Sequence, residues 1–233
     1  MIYSDLDLMQ MQTEALFVHD TKGKLLRINE PDPTSPAPHL FLGRTAAGNI
    51  WRTRYDLPVE IAAEFERLAA REPINSDLSQ PPHFEADYLE LLKPYASQPS
   101  INSGPAYYVP KVDYPHDVVT ITPENINLVQ PHFSWLFETL ADYAPVVAVV
   151  EDGNAVAVCF CSRITLRVAE AGVYTETNYR GYGYATKVAQ GWAAAVRSTG
   201  RQPLYSTSWS NHASQAIARK LGAVQYGADY TIT

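Results

Sequence analysis

The sequence predicts an α+β protein with α/β/α layers: a mixed, partly antiparallel sheet flanked by helices and preceded by an N-terminal α+β lobe. Three observations lead to this fold class. Apolar runs and helical patterns alternate from residue 118 onward in the order β-α-β-β-β-α-β-α-β-β. Two of the runs flank a Gly153-Asn154 turn, which is typical of an antiparallel hairpin. Others are joined through helices, and a sheet that combines hairpins with helical crossovers is mixed.

The N-terminal lobe is predicted from short strands and two helices. Four apolar runs lie in two pairs around turn-forming residues and indicate strands: 16–19, 25–28, 39–44 and 50–55. Pro58 opens an amphipathic helical pattern that continues to about residue 71, and a second helix is predicted over 85–92. Residues 93–117 contain five prolines and predict an irregular connector. We therefore expect two domains, at 1–112 and 113–233.

The second half is more regular. Thr122 and Pro123 are typical of a helix cap and a first helical turn, so a helix is predicted from there to about residue 143. The other elements are predicted as strands at 118–121, 145–150, 155–161 and 169–175, a helix at 183–199, a strand at 204–209, a helix at 211–221, and closing strands at 223–226 and 230–233.

Charge and composition argue against several classes of partner. The chain has 25 acidic and 18 basic residues, and its formal net charge of −7 argues against a nucleic-acid partner. No run approaches the roughly 18–20 apolar residues of a transmembrane helix, and the start lacks a basic segment followed by an apolar core. We therefore expect a cytoplasmic protein without a membrane partner.

The residues that most often bind metals show no pattern suited to a site. The six histidines have no metal-ligand spacing. Cys159 and Cys161 lie two apart on a predicted strand, where the strand rise keeps them too far apart for a bridge. Both are expected to fill the core, and no bound metal is predicted.

A strand-to-helix loop before residue 184 carries the strongest chemical signal. Gly181 and Gly183 lack Cβ atoms, so an anion can approach the backbone N–H groups that open the following helix. Arg180 adds a permanent cation beside them. On the loop alone, a simple tight turn stays an open alternative. A dinucleotide site is disfavoured, because the third glycine and an acidic residue after the next strand are missing.

The blocks around this loop resemble the GNAT superfamily of N-acetyltransferases. The acyl-CoA loop of that superfamily reads Arg/Gln-x-x-Gly-x-Gly/Ala, and the segment from Arg180 to Ala185 matches it fully. Its next block is a strand, an Asn-containing loop and a helix ending in Leu-Gly, which Asn211 and Gly222 match. The resemblance covers about residues 115–233 and implies a GNAT-like sheet. The residues just before the loop and just after the following helix are most similar to those of the glycine N-acyltransferase-like branch.

The resemblance implies acetyl-CoA, or another acyl-CoA, as co-substrate and a set of residues that hold it. The pantetheine arm would pair with the backbone of three strand residues, Val173, Tyr174 and Thr175. Asn211 and Ser214 would line the same groove. The pyrophosphate would be held by the loop and the first helical turn, namely Arg180, Gly181, Tyr182, Gly183, Tyr184, Ala185 and Thr186. Arg219 or Lys220 would meet the 3′-phosphate.

Direct transfer of the acyl group needs a base for the amine proton, and an acid assists the departing thiolate. Glu170 and Glu176 flank the predicted strand and are the base candidates, although each also fits a solvated carboxylate at a strand end. Many relatives carry a Tyr seven residues after the Asn, where this chain has Ala218. Ser214 or Tyr226 would substitute, or the thiolate would leave unassisted.

The predicted function is therefore an acyl-CoA-dependent N-acyltransferase, with acetyl as the expected group and a small-molecule amine or a peptide as acceptor. The departure at Ala218 keeps a second prediction open, a coenzyme A-binding sensor or interaction module without turnover. The N-terminal lobe is expected either to shape the acceptor site or to form a homodimer contact.

Overall fold

The computed structural model describes residues 3–31, 34–96 and 98–233 and separates them into two compact units. The first unit contains the chain up to Tyr107 together with Ser206–His212 and Gln225–Thr233. The second unit contains Tyr108–Tyr205 and Ala213–Val224. The sequence places its boundary between residues 112 and 113, whereas the chain separates between Tyr107 and Tyr108, and two later segments also join the first unit.

The first unit combines helices with a sheet whose strands come from distant parts of the chain. Its elements are α1 (Asp5–Leu16), β1 (Phe17–His19), β2 (Leu25–Ile28), β3 (Leu40–Thr45), β4 (Gly48–Thr53), α2 (Val59–Arg71), α3 (Glu85–Leu92), β5 (Ile101–Tyr108) and β11 (Val224–Ile232). Strands β1 and β2 pair with each other, and the remaining four lie in the order β4-β3-β11-β5. The four short strands and two helices predicted for this part of the chain are confirmed.

Helices α2 and α3 bury their apolar faces against this sheet. Phe65 on α2 and Tyr88 on α3 are fully buried, and their rings stack with centroids 5.9 Å apart. They belong to the same core cluster as Leu40, Leu42 and Tyr230 of strands β3 and β11. Burial of apolar side chains between the helices and the sheet is the main source of stability for such a layer.

Helix α1 is an element that the sequence analysis did not predict. Ser4 caps it and forms a capping box with Asp7, because the Ser4 hydroxyl accepts from the Asp7 amide and the Asp7 carboxylate accepts from the Ser4 amide. The helix packs closely on β3: a Cβ atom at Gly43 would lie 2.3 Å from the Met9 sulfur. The Ser-x-x-Asp spacing was the available signal for this helix.

The connector predicted over residues 93–117 is wrong, because it contains strand β5. Pro105 lies within β5 although proline has no N–H group for a ladder. Its carbonyl oxygen instead accepts a hydrogen bond from the Thr207 amide at 3.3 Å, and the Trp209 amide donates to the Ser103 carbonyl at 3.1 Å. The strand is thus held by the loop after β10, a long-range partner that its own proline-rich sequence does not reveal.

The second unit has the element order of the predicted mixed sheet. It contains β6 (Val119–Ile121), a 3-10 helix (Ile126–Val129), α4 (Leu136–Tyr143), β7 (Val146–Glu151), β8 (Asn154–Ile164), β9 (Val168–Thr175), a second 3-10 helix (Thr177–Tyr179), α5 (Tyr184–Ser198), β10 (Gln202–Ser206) and α6 (His212–Lys220). The strand order is β10-β9-β8-β7-β6, with β9 and β10 parallel and the other neighbours antiparallel. The predicted fold class, a mixed sheet flanked by helices, is confirmed.

Two predicted elements of the C-terminal half are wrong. The single helix expected from Thr122 to about residue 143 is a 3-10 turn followed by the shorter α4, because Pro131 cannot donate a helical hydrogen bond. The two closing strands are one continuous strand, β11. Among the residues that the structure describes, no helix is both long and apolar enough to cross a membrane.

Helix α5 packs against the sheet through small and large side chains together. A Cβ atom at Gly191 would lie 2.9 Å from Val118 and 3.0 Å from Val147, so the glycine sets how closely the helix approaches. Trp192, the next residue, is fully buried in the core. Cys159 and Cys161 are buried free thiols, as the sequence predicts.

Candidate functional site

The parallel strands β9 and β10 pair over only part of their length. The registered pairs are Val168 with Gln202, Ala169 with Pro203 and Glu170 with Leu204. Strand β9 nevertheless continues to Thr175, and its other edge stays paired with β8 over that length. Within the described part of the chain, the segment after Glu170 therefore presents a backbone edge to an opening between β9 and β10.

The loop after β9 leads to an N-terminus of α5 that is open to an anion. Gly181 and Gly183 have φ values of 86° and 83°, in the left-handed region that favours glycine. An added Cβ at either position would meet no described atom within 4 Å. Gly183 is the N-cap of α5, and no side-chain hydrogen bond of the described residues caps the helix there. The first-turn amides of a helix lack intrahelical partners, so this loop fits a pyrophosphate.

Two basic side chains border the loop. Arg180 is exposed, and its Nε donates to the Thr175 carbonyl at 3.3 Å, which ties the loop to the end of β9. Lys187, in the first turns of α5, forms an ion pair with Asp117 and lies 5.7 Å from the centroid of the Tyr184 ring. The loop therefore combines the partial positive charge of the α5 N-terminus with two cationic side chains at its edge.

The remaining predicted loop residues differ in how they are held. Tyr182 is exposed and stacks on Tyr184 with ring centroids 5.8 Å apart. The Tyr184 hydroxyl donates to Glu151, and this hydrogen bond raises the pKa of Tyr184 to about 12. The Thr186 amide is bonded to the Gly183 carbonyl at 3.1 Å, so Thr186 offers its hydroxyl rather than its amide.

The two base candidates sit in different environments. Glu170 is only 2% exposed and belongs to the last registered β9–β10 pair, so the alternative of a solvated strand-end carboxylate does not hold for it. Glu176 follows β9 and is half-buried, and its Oε2 lies 3.7 Å from Nδ1 of His132. His132 was not predicted as a site residue, because its position beside Glu176 depends on folding across 44 residues.

Ser214 on α6 and Tyr205 on β10 form a hydroxyl pair that the sequence did not reveal. The Ser214 and Tyr205 hydroxyl oxygens are 2.8 Å apart, and Tyr205 is buried at the end of β10. Ala218 lies one helical turn after Ser214 and is fully buried. The other predicted substitute, Tyr226, belongs to the first unit, where its hydroxyl donates to Gln12 at 2.8 Å.

Asn211 lies in the first unit, whereas the loop and Ser214 lie in the second. It is exposed, and its amide donates to the Ser208 carbonyl at 3.1 Å. Arg219 and Lys220 are exposed in the last turn of α6. The contacts described above thus connect β9, the glycine loop and α5 in one part of the second unit and Tyr205 with Ser214 in another.

An aromatic cluster covers one face of β8 and β9. Trp135, Tyr143, Phe160 and Tyr174 form ring contacts with centroid distances from 5.1 to 6.2 Å. Phe160 occupies the space above Gly172, and Trp135 and Tyr174 remain 38% and 56% exposed. Their spacing in the sequence shows no periodicity that would have predicted the cluster.

The side chains that most often bind metal ions are not grouped into a site in the described part of the chain. Within residues 3–31, 34–96 and 98–233, no three His, Cys, Asp or Glu side chains are grouped to hold a metal ion.

Known proteins resemble this chain in part or over most of its length. A GNAT-family acetyltransferase structure from Colwellia psychrerythraea is 16% identical, with 99% of this chain and 97% of that chain covered and a TM-score of 0.48. A GCN5-related N-acetyltransferase-like protein from Streptococcus suis is 15% identical, with 88% and 87% covered and a TM-score of 0.47. A GNAT-family structure from Novosphingobium aromaticivorans is 21% identical over 57% of this chain, which spans 64% of that chain, with a TM-score of 0.43. No curated protein matches the chain.

The protein-family comparison covers the second half of the sequence. Residues 120–232 match the family described as GNAT acetyltransferase, a range that includes β9, the glycine loop, α5, Asn211 and Ala218. Over residues 120–232 the chain is therefore similar to the GNAT acetyltransferase family.

Proposed function

We propose that the protein is an acyl-CoA-dependent N-acyltransferase that transfers an acetyl group to an amine. One observation carries the proposal: β9 and β10 separate after the Glu170–Leu204 pair, and the open edge of β9 leads directly into the uncapped N-terminus of α5. A thioester with a pyrophosphate-linked arm needs this combination of a free strand edge and an anion site. The match of residues 120–232 to the GNAT acetyltransferase family supports it.

The residues that would hold acetyl-CoA are those around this opening. Backbone groups of Val173, Tyr174 and Thr175 would pair with the amide groups of the pantetheine arm, in the manner of an added strand. The amides from Gly181 to Ala185 would hold the pyrophosphate, assisted by the Thr186 hydroxyl and Arg180. Arg219 or Lys220 would meet the 3′-phosphate.

The proposed chemistry assigns one proton step to each side of the opening. When bound, the thioester supplies an electrophilic carbonyl carbon, whose C–S bond breaks as the N–C bond to the acceptor forms. Glu170 accepts the proton released by the amine, directly or through water. Ser214, hydrogen-bonded to Tyr205, donates a proton to the departing sulfur. An amide on the open edge of β9 would stabilise the charge on the carbonyl oxygen.

Glu176 takes a different part in this proposal. It lies at the end of β9, next to His132 and the glycine loop, rather than at the last β9–β10 pair. We infer that it positions the loop and that Glu170 is the base. The likeness to the glycine N-acyltransferase-like branch rests on short segments beside the loop, and the family match does not reach that branch.

A second candidate function is a coenzyme A-binding module without turnover. It is favoured by the buried methyl group of Ala218, which leaves α6 without a phenol at the position where many relatives have one. Tyr205 argues against it, because its hydroxyl reaches Ser214, one helical turn before Ala218.

Two measurements on the intact chain separate the possibilities. Isothermal titration with acetyl-CoA tests binding, and release of free thiol in the presence of an amine panel tests transfer. Binding with amine-dependent thiol release is expected. No binding at millimolar acetyl-CoA would refute the acyltransferase proposal, and binding without thiol release for every amine would favour the module.

A further inference from the structure

The aromatic cluster carries two exposed rings that the acyl-CoA proposal does not use. Trp135 and Tyr174 are 38% and 56% exposed, whereas Phe160 is buried and Tyr143 packs against the core around it. All four residues belong to the second unit, so the cluster is a property of that unit alone. Large aromatic side chains grouped at a surface mark a binding site for a ligand or a partner.

The two exposed rings are supported from below by the rest of the cluster. The Phe160 ring centroid lies 5.1 Å from that of Trp135 and 5.7 Å from that of Tyr174. Tyr143 lies 5.1 Å from Trp135 and 5.3 Å from Phe160. Gly172 leaves the room that Phe160 needs, because an added Cβ would lie 2.5 Å from its ring. The exposed rings are therefore positioned before any ligand arrives.

Trp135 and Tyr174 form a corner. Their ring planes meet at 88° with centroids 6.2 Å apart. A planar ring that stacks on one of them would meet the other edge to face. Offset stacking and edge-to-face contact are the two arrangements that aromatic rings prefer, and a saturated ring of the same size can form neither. The corner therefore favours an aromatic group over an aliphatic one.

The strand face that carries Tyr174 also carries Glu170, the proposed base. Side chains alternate along a strand, so Glu170, Gly172 and Tyr174 of β9 lie on one face. The ring of Phe160 above Gly172 identifies this face as the one that the cluster covers. The Cα atoms of Glu170 and Tyr174 are about 13 Å apart at the rise of a strand, and the two long side chains shorten that gap. A carboxyl group and an aromatic corner on one face match an amine that carries an aromatic ring.

A second protein chain is a poor occupant for this corner. A Trp or Tyr side chain buries about 150–250 Å² at most, and both rings are already partly covered. A stable interface needs about 800 Å² from each partner. The two rings therefore suit a small molecule, and they lie beside the strand that leads into the proposed acyl-CoA site.

We propose that the acceptor is a small primary amine that carries an aromatic ring, an arylalkylamine. Its ring lies in the corner between Trp135 and Tyr174, and its amine reaches Glu170 at the opening between β9 and β10. Tyr174 then has two roles, since its backbone faces the pantetheine arm and its ring faces the acceptor. This inference rests on the proposed acyltransferase function.

Two amines of similar size test the corner. 2-Phenylethylamine and 2-cyclohexylethylamine share the linker and the amine, and only the first has a planar aromatic ring. At saturating acetyl-CoA, KM should be about three- to tenfold lower for the phenyl compound than for the cyclohexyl compound. Ethylamine, which lacks a ring, should have a KM at least about 30-fold higher. Equal KM values for the two ring compounds would refute the proposal, although thiol release would still support the acyltransferase.

Variants of the corner show whether its rings cause the preference. Trp135→Leu keeps an apolar side chain and should reduce the preference for the phenyl compound to less than about twofold, whereas Trp135→Phe restores a ring and should keep most of it. Tyr174→Leu, which keeps the backbone edge of β9, should act as Trp135→Leu does and guards against a folding defect in that variant. Phe137→Leu removes another exposed aromatic side chain of α4, outside the ring contacts of the cluster, and should keep the preference of the parent. A preference that survives in both corner variants, or an equal loss in Phe137→Leu, would refute the proposal.

Binding without turnover separates this proposal from the acyltransferase proposal. Isothermal titration of the intact chain without acetyl-CoA should show the same preference, about three- to tenfold in Kd, for the phenyl compound. Failure of the parent to bind acetyl-CoA would refute the acyltransferase, and this titration would still decide whether the corner selects an aromatic ring. Sedimentation tests the other occupant. A dimer that Trp135→Leu dissociates, with an unchanged amine preference, would show that a second copy covers the rings and would refute the proposal.

Discussion

The hydroxyl oxygens of Tyr205 on β10 and Ser214 on α6 lie 2.8 Å apart. Ser214 lies one helical turn before the buried Ala218. The phenol of Tyr205 on β10 thus lies beside the alcohol of Ser214 on α6, the helix that lacks the expected tyrosine. If Tyr205 and Ser214 assist the departing sulfur, Tyr205→Phe should lower kcat for thiol release about tenfold or more and leave the Kd for acetyl-CoA unchanged. Tyr55→Phe, an exposed control, should have no effect. An unchanged kcat in Tyr205→Phe would show that the thiolate leaves without this help.

Glu170 and Glu176 are predicted to differ sharply when each is made neutral. Glu170→Gln should lower kcat about 100-fold with a small change in KM, because it removes the proposed base. Glu176→Gln should change kcat less than tenfold and should instead weaken acetyl-CoA binding, since Glu176 lies between His132 and the glycine loop. Measurement of kcat and KM from pH 6 to 9 checks both. The reverse pattern would assign the base to Glu176.

Gly183 can be tested against a second glycine of the same backbone conformation. Gly183 and Gly200 both have φ of 83° with open space around an added Cβ, so valine at either position strains the backbone equally. Only Gly183 lies in the proposed pyrophosphate site. Gly183→Val should weaken acetyl-CoA binding at least tenfold in isothermal titration, which is about 1.4 kcal/mol, and Gly200→Val should bind as the parent does. Equal affinities in the two variants would place the phosphates elsewhere.

Gly104 is predicted to be essential for the stability of the first unit. A Cβ atom there would lie 1.6 Å from the Thr207 carbonyl oxygen, which is backbone and cannot rotate away. Gly104→Ala should therefore lower the free energy of unfolding by about 1–3 kcal/mol or more, measured by urea titration. Gly153→Ala has open space and should cost only about 1–2 kcal/mol for its positive φ. A larger loss at Gly153 than at Gly104 would contradict the packing described here.

Burial of Cys161 predicts a loss of stability at high pH. Desolvation raises the pKa of the Cys161 thiol to about 11 in the folded protein, above its unfolded value near 9. The protonated form is favoured by folding, so this contribution is complete below pH 9 and is lost as the pH rises toward 11. Between pH 8 and pH 10.5 the parent should lose up to about 2 kcal/mol more of its unfolding free energy than Cys161→Ala does. Parallel pH curves for the two proteins would contradict the predicted burial effect.

Local patterns were sufficient to predict most elements of this chain. The Gly153-Asn154 turn, Pro58 at the start of α2 and the glycines that bound α5 are short-range signals, and each predicts its element correctly. Strand β5 was missed because Pro105 is stabilised by Thr207, about a hundred residues later. The error at Pro131 is the opposite one. Apolar residues recur at helical spacing before and after it, so a single helix was predicted where the chain has a break.

In the candidate site, too, the contiguous residues could be predicted from the sequence, whereas the tertiary contacts could not. The glycine loop is contiguous, so its residues could be named from the sequence. The separation of β9 from β10 depends on the register of two strands joined through α5, and no sequence pattern fixes where that register stops. His132 beside Glu176 and Tyr205 beside Ser214 are likewise tertiary contacts between distant or differently structured segments.

Strand β11 lies between β3 and β5, yet the ribosome makes it more than a hundred residues after β5. Until then the two earlier strands lack the neighbour that fills the gap between them, and their exposed edges invite pairing with other chains. We therefore expect the first unit to complete its sheet after the second unit, the reverse of the usual order in which an N-terminal unit folds first during synthesis. Strands β6 to β10 of the second unit can pair while the first unit still lacks β11. We therefore expect chaperone dependence and misassembly to concentrate in the first unit.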